Sequence, residues 1–231
     1  MKAYSSRGVF IMSCLLSLLI FSSCEKNENY EPGVPSGEIS DLFKSYTLFD
    51  TLSYWIYTNT ENQQLDTVRL LDFYTEKRYH APVNQSQGFH YDAYVLHFSG
   101  KKTGIIKGEI TGCYTVKPSD TLAESYRLYF NNNRYFSILT PRYPIKEEQL
   151  LGVNEGVYTN EAFYNAFEQN GHRFEAVFQS SVKDYQQAPD TVFMHFYMAK
   201  NVGLIRYYRQ YKNETDNWIL SSWKTKPVTN P

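Results

Sequence analysis

The residues able to do chemistry are few and scattered. Five histidines stand at His80, His90, His97, His172 and His195. A metal wants at least three converging ligands with second-shell support, and these share no short ligand spacing. The expectation is strand histidines with hydrogen-bonded ring edges, no metal site and no cofactor. Cys113 sits in an alternating apolar stretch, where a small filler is the ordinary role of a cysteine. Glu109, Glu147 and Glu148 have the chemistry of glycosidase carboxylates, but the sequence does not set two of them across a cleft. No Gly-x-Ser-x-Gly elbow, Gly-x-x-x-x-Gly-Lys-[Ser/Thr] loop, Gly-x-Gly-x-x-Gly or His-Glu-x-x-His occurs. No catalytic residue is assigned, and the chain is not expected to be an enzyme.

One short pattern recurs. Asp-Thr-aliphatic stands at Asp50-Thr51-Leu52, Asp66-Thr67-Val68, Asp120-Thr121-Leu122 and Asp190-Thr191-Val192. Structurally, such an Asp caps a turn, the Thr starts a strand and the aliphatic points inward. The pattern also matches an O-glycosylation signal, Asp-[Ser/Thr]-aliphatic, used on exported proteins of some Gram-negative bacteria. Thr51, Thr67, Thr121 and Thr191 are therefore candidate modification sites.

The N-terminus says where such groups would be displayed. Lys2 and Arg7 precede the apolar run VFIMSCLLSLLIF, and FSSC follows, with small residues before Cys24. Charged, apolar and cleavage regions come in signal-peptide order, and the run is short for a bilayer span. The FSSC stretch resembles a lipobox of bacterial envelope lipoproteins. That resemblance implies that residues 1–23 are removed and that Cys24 becomes a lipidated N-terminus, with palmitate among its acyl chains. Several acyl chains would anchor the protein firmly, at roughly 0.8 kcal/mol per buried methylene. Residues 24–38, with two prolines and two glycines, read as a flexible tether, and Glu25 and Glu28 faintly match an outer-face sorting signal. Residues 39–231 read as a single β-rich domain.

Charge bounds the partners of that domain. The leader holds two of the 23 basic residues and none of the 24 acidic ones, so the remainder is more acidic than the whole chain's −1. A basic stripe is missing, so nucleic acid is not an expected partner. Cys113 has no partner within the domain, so the core must hold by burial without a disulfide. Aromatic residues make up 17% of the chain, including 21 tyrosines. Tyrosine suits half-buried strands and pocket walls, and it also enriches carbohydrate sites.

Period-two patterns predict about ten strands: 50–58, 66–75, 90–98, 103–116, 124–131, 135–140, 172–182, 190–199, 203–211 and 217–225. Helix is expected over 145–152, which has Pro144 before it and Gly152 at its end. It is also expected over 159–170, where Thr159 or Asn160 caps, Phe163 and Phe167 form a stripe and Gly171 stops it. A further short helix is expected near 38–46. The class is mainly β: a curved antiparallel sheet, half-barrel or sandwich, with one or two short helices.

Two strings echo each other, HFSGKKTGIIKGEI at 97–110 and HFYMAKNVGLIRYYRQY at 195–211. Each reads as strand, glycine-bearing turn and strand, either by duplication or because hairpins reuse the same residues. The second string also resembles a C-terminal motif of LolA/LolB-like half-barrel lipoproteins. Their fold wraps a helix and holds acyl chains. The expected function is a non-catalytic, lipid-anchored protein of the cell envelope, on the outer membrane, binding an apolar or glycan ligand. A structural or accessory subunit of a surface complex, with no small ligand, is the alternative; an envelope protein or a glycan would be its partner. Trp55, Tyr57, Tyr94, Tyr197 and Trp218 are the candidate pocket walls, each equally suited to a core.

Overall fold

Side chains alternate across a strand, so a chain of half-buried strands must lay one face of each against something apolar. In this chain that surface is the rest of its own sheet. The computed structural model describes residues 36–81, 88–114, 123–131, 135–139, 148–152, 156–187, 190–211 and 214–228. They belong to one unit, Pro35–Pro231.

The elements are β1 (Ser36–Gly37), α1 (Asp41–Thr47), β2 (Tyr54–Asn59), β3 (Leu65–His80), β4 (Phe89–Phe98), β5 (Ile105–Tyr114), β6 (Ala123–Phe130), β7 (Tyr135–Leu139), β8 (Glu148–Gly152), β9 (Gly156–Gln169), β10 (His172–Gln187), β11 (Asp190–Ala199), β12 (Gly203–Gln210) and β13 (Thr215–Lys224). The strands form one 13-stranded sheet with the order β7-β6-β5-β4-β3-β2-β13-β12-β11-β10-β9-β8, and β1 lies parallel on β4. Two antiparallel meanders, β2–β7 and β8–β13, are joined where the first strand of one meets the last strand of the other.

This order forces curvature. The consecutive strands β7 and β8 occupy opposite ends of the path. The eight residues between them, 140–147, reach at most roughly 30 Å. Twelve strands laid flat at about 4.8 Å spacing would hold the two edges roughly 50 Å apart. The sheet therefore curls, and contacts between its two halves fill the hollow. Phe136 on β7 stacks on Phe196 of β11, with centroids 4.4 Å apart. Phe130 meets Tyr207 at 6.0 Å, and the Tyr158 hydroxyl donates to the Leu139 carbonyl at 3.2 Å. The result is the expected curved antiparallel half-barrel, with one helix.

That helix is the one expected near 38–46. Ser40 caps it, accepting from the Phe43 amide at 3.2 Å, and Asp41 sits in the first turn. Phe43 and Tyr46 are fully buried. The Tyr46 hydroxyl donates to the Ala176 carbonyl at 2.8 Å.

Every stretch read as a strand holds one, although residues 50–53 are a turn ahead of β2, and 115–116 and 140 lie outside the described residues. The two longer helices expected are not there. Residues 148–152 form β8 on β9, and 145–147 lie outside the described residues. Residues 159–169 form most of β9, which runs into β10 through a two-residue turn, Asn170-Gly171. Asn170 and Gly171 have φ of 52° and 74°, with Gln169 paired to His172. Asn-Gly with two positive φ values is the tight turn whose twist matches antiparallel strands, and it marks a hairpin rather than a helix stop. The supposed stripe is also split: Phe163 is exposed, while Phe167 packs on Tyr164 and Tyr197. Both echoed strings are hairpins, β4–β5 and β11–β12, and their glycines Gly104 and Gly203 have φ of 74° and 92°.

Gly171 tests the hairpin. A Cβ there would meet nothing within 4 Å, so the cost of adding one is purely conformational. Gly171→Ala should lower stability by about 1 kcal/mol in urea unfolding, with the slope unchanged. A helix stop would also respond to a buried-face change at Phe163; here Phe163→Ser should be near neutral.

Candidate functional site

A cavity of about 30 Å³ lies beneath α1, lined by residues that include Tyr46, Trp55, Tyr57, Phe98, Tyr126 and Met198. That volume suits a water molecule or two, not a drug-sized or acyl ligand. Of the five candidate walls, Trp55 and Tyr57 line it. Both are spent on structure: the Trp55 indole donates to the Val202 carbonyl at 2.6 Å, and the Tyr57 hydroxyl to the Leu204 carbonyl at 2.7 Å. Burial pushes the Tyr57 phenol well above its ordinary value. Tyr94 and Trp218 are buried core side chains. Tyr197 is different: it sits between Phe196 and Met198, which face inward, and so projects from the opposite face of β11.

The β9–β10 hairpin explains what Tyr197 meets. A bulge at Glu161 and a positive φ of 48° at Ala176 bend it. Its tip crosses β11 to reach β12 and β13. The Gln169 amide donates to the Ile205 carbonyl at 3.0 Å, and His172 Nε2 bonds the Ser221 carbonyl at 3.1 Å. Ile205 and Ser221 are the extra residues of two further bulges, each lacking a partner in its ladder. The tip therefore satisfies carbonyls that the bulges release.

Along this bent hairpin a ring strip forms. Tyr164 and Phe167 lie 5.2 Å apart, and Phe167 and Tyr197 5.3 Å apart. The Arg206 guanidinium stands 5.5 Å from the Tyr197 centroid, and the Tyr164 hydroxyl donates to Gln179 at 2.9 Å. All five side chains are half-buried, and Phe163 beside them is 48% exposed. Burial raises the Tyr197 phenol against the opposing pull of Arg206. Sequence reasoning reached Tyr197 alone. The Asn-Gly turn was the signal that would have brought in Tyr164 and Phe167.

The same face carries Ser181, His195 and Glu161. Ser181 is opposite His195, but its hydroxyl donates to Glu161. His195 Nδ1 is buried with no hydrogen-bond partner, and burial lowers the ring's pKa. A nucleophile–base–carboxylate relay needs the imidazole between the other two groups, so this row does not have the relay order. His97 Nδ1 pairs with Asp72 at 2.6 Å, and His80 Nδ1 meets the Ala81 carbonyl at 2.8 Å. Among the described residues no three His, Cys, Asp or Glu side chains gather as a metal site. Glu109 is 8% exposed in a network with Arg78 at 2.9 Å and Lys107 at 3.7 Å. Burial alone would raise it, but the Arg78 hydrogen bond and charge, with Lys107 and Arg127, hold it below the ordinary value. Glu148 is exposed and paired with Lys183, and Glu147 lies outside the described residues.

The four Asp-Thr-aliphatic sequences differ in access. Thr51 and Leu52 are exposed in the turn before β2, with Leu52 at 69%. Thr67 is half-buried inside β3, and Asp66 is buried, accepting from Lys102 N, Thr103 N and Thr103 Oγ1. Thr191 is exposed at the start of β11. Thr121 and Cys24 lie outside the described residues, as do 1–23 and most of the 24–38 stretch.

No family model matches the chain, and no curated protein does. Among solved structures it is similar to a candidate lipoprotein from Parabacteroides distasonis, at 12% identity and a TM-score of 0.33, covering 78% of this chain and 99% of that one. Among the described residues no helix is long and apolar enough to cross a membrane.

Access ranks the threonines. In protein from its native host, intact mass should exceed the polypeptide by a glycan, and Thr51→Ala should remove one glycan unit. Thr67→Ala should leave the mass unchanged apart from the substitution. An unmodified native mass ends this reading.

Proposed function

We propose that the chain is a lipid-anchored, non-catalytic protein of the cell envelope that recognises a glycan on the ring strip formed by Tyr164, Phe167 and Tyr197. One observation carries this reading: three contiguous, partly exposed rings bordered by a guanidinium and an amide. Ring faces suit the C–H faces of sugars, while Arg206 and Gln179 can engage hydroxyls. The cavity of about 30 Å³ beneath α1 is too small for an apolar ligand of acyl size, and this favours a glycan on this outer face. The lipid anchor rests on the FSSC sequence and Cys24.

The alternative, a structural subunit of a surface assembly, is favoured by a separate observation. From Leu71 to His80, β3 is paired on one side only among the described residues, with β4. Such an edge suits association through strands.

Two experiments test the first reading. Oligosaccharides titrated into the protein should show binding by calorimetry, and Tyr197→Ala should weaken it about three- to tenfold with the far-UV circular dichroism spectrum unchanged. Absence of binding across a broad glycan panel, or affinity indifferent to Tyr197→Ala, removes the glycan. For the anchor, cells fed labelled palmitate should label the protein, and Cys24→Ser should abolish the label; persistent label would falsify the anchor.

A further inference from the structure

We propose that the edge of β3, which has no strand partner past Leu71 among the described residues, pairs antiparallel over Tyr74–His80 with the same edge of a second copy of this chain, about a two-fold axis at Lys77. The proposal goes beyond the glycan reading and does not depend on it.

The edge is long. β2 pairs β3 only over Leu65–Arg69, and a bulge at Leu71 turns the rest away. The nine residues that follow, Asp72–His80, span roughly 30 Å at about 3.4 Å per residue. One row of their backbone N–H and C=O groups lacks a strand partner among the described residues. Natural edges are blunted by short length, proline, bulges, charged side chains or a covering element. This one carries a bulge at Leu71 and the charges Asp72, Glu76, Lys77 and Arg78, whose two signs let them pair with a second copy; it contains no proline, and Leu71, Tyr74 and Tyr79 are 55%, 49% and 54% exposed.

Symmetry narrows the register. When two copies extend one sheet about an axis normal to it, directly opposed residues share a face, so even positions meet even and odd meet odd. An axis at Glu76 would set two Glu76 carboxylates against each other. Shifting the axis to Lys77 sets Glu76 against Arg78 twice and Tyr74 against His80 twice. On the other face Thr75 meets Tyr79 twice and Lys77 meets its copy. Each Lys77 ammonium is already 3.5 Å from Asp92 of its own chain, which offsets that repulsion. Arg78 holds Glu109 at 2.9 Å and also bonds Glu76, so the dyad would extend an existing network rather than create an isolated pair.

The register makes the test specific. Opposed residues have Cβ atoms about 5 Å apart, so Lys77→Cys in the full-length chain should form a disulfide-linked dimer under mild oxidation. Thr75→Cys, opposite Tyr79 of the other copy, should not. Light scattering should give twice the chain mass for the unaltered protein, and Tyr74→Lys with Tyr79→Lys should halve it with the far-UV circular dichroism spectrum unchanged. A single-chain mass at every concentration overturns the proposal, as it would if the edge served another protein's strand. So does cross-linking of Lys77→Cys no faster than Thr75→Cys. Glycan binding would be untouched by either result, because the ring strip lies on β9–β12.

Discussion

The pairing of β2 with β13 is the joint on which the fold depends. It fuses two meanders, each with one apolar face, into a single path whose ends are the chain-adjacent strands β7 and β8. The short connection between those ends then compels the sheet to curl, and curling brings the apolar faces together. Hydrophobic burial supplies the free energy, but the topology decides which rings meet. Phe136 stacks on Phe196, sixty residues away, because the path closes on itself. Around the joint, the carbonyls of Val202 and Leu204 receive the Trp55 and Tyr57 donors, so the bulkiest side chains of β2 are also its polar ties to β12.

A sheet this curved cannot keep a perfect ladder. Bulges at Glu161, Ile205 and Ser221 relieve the strain and release polar groups. Burying those groups unpaired would cost about 1–3 kcal/mol each. The bent tip of β9–β10 returns across the sheet with Gln169 and His172 to meet two of them, and Tyr46 of α1 meets a third at the bend itself, the Ala176 carbonyl. The ring strip is a by-product of this repair. Aromatic side chains on the returning hairpin come to lie against Tyr197 because the tip must reach the released carbonyls.

Inside the sheet, a cavity of about 30 Å³ lies beneath α1 between inward rings. Among the described residues two surfaces differ from the rest: the strip over β9–β12 and the edge of β3 past Leu71, which has no strand partner there. They differ in chemistry, the first offering ring faces with a guanidinium and an amide, the second a row of backbone donors and acceptors beside Asp72, Glu76, Lys77 and Arg78.

By itself the sequence determined the class. Period-two runs such as DTVFMHFYMA over 190–199 specify strands because each alternate side chain needs a buried face, and that demand is local. A short helix near 38–46 was likewise legible, and Gly104 and Gly203 announced their turns through the positive φ they tolerate. Residues 159–170 failed for a physical reason. Phe163 and Phe167 fit a helical stripe as well as two strand positions, and only pairing with β10 decides between them. The same holds for function. Tyr57, Tyr94 and Tyr197 are alike in sequence, and each lies in a strand. What separates a core tyrosine from a surface one is which face the rest of the sheet covers, and that is set by contacts between strands far apart in the chain.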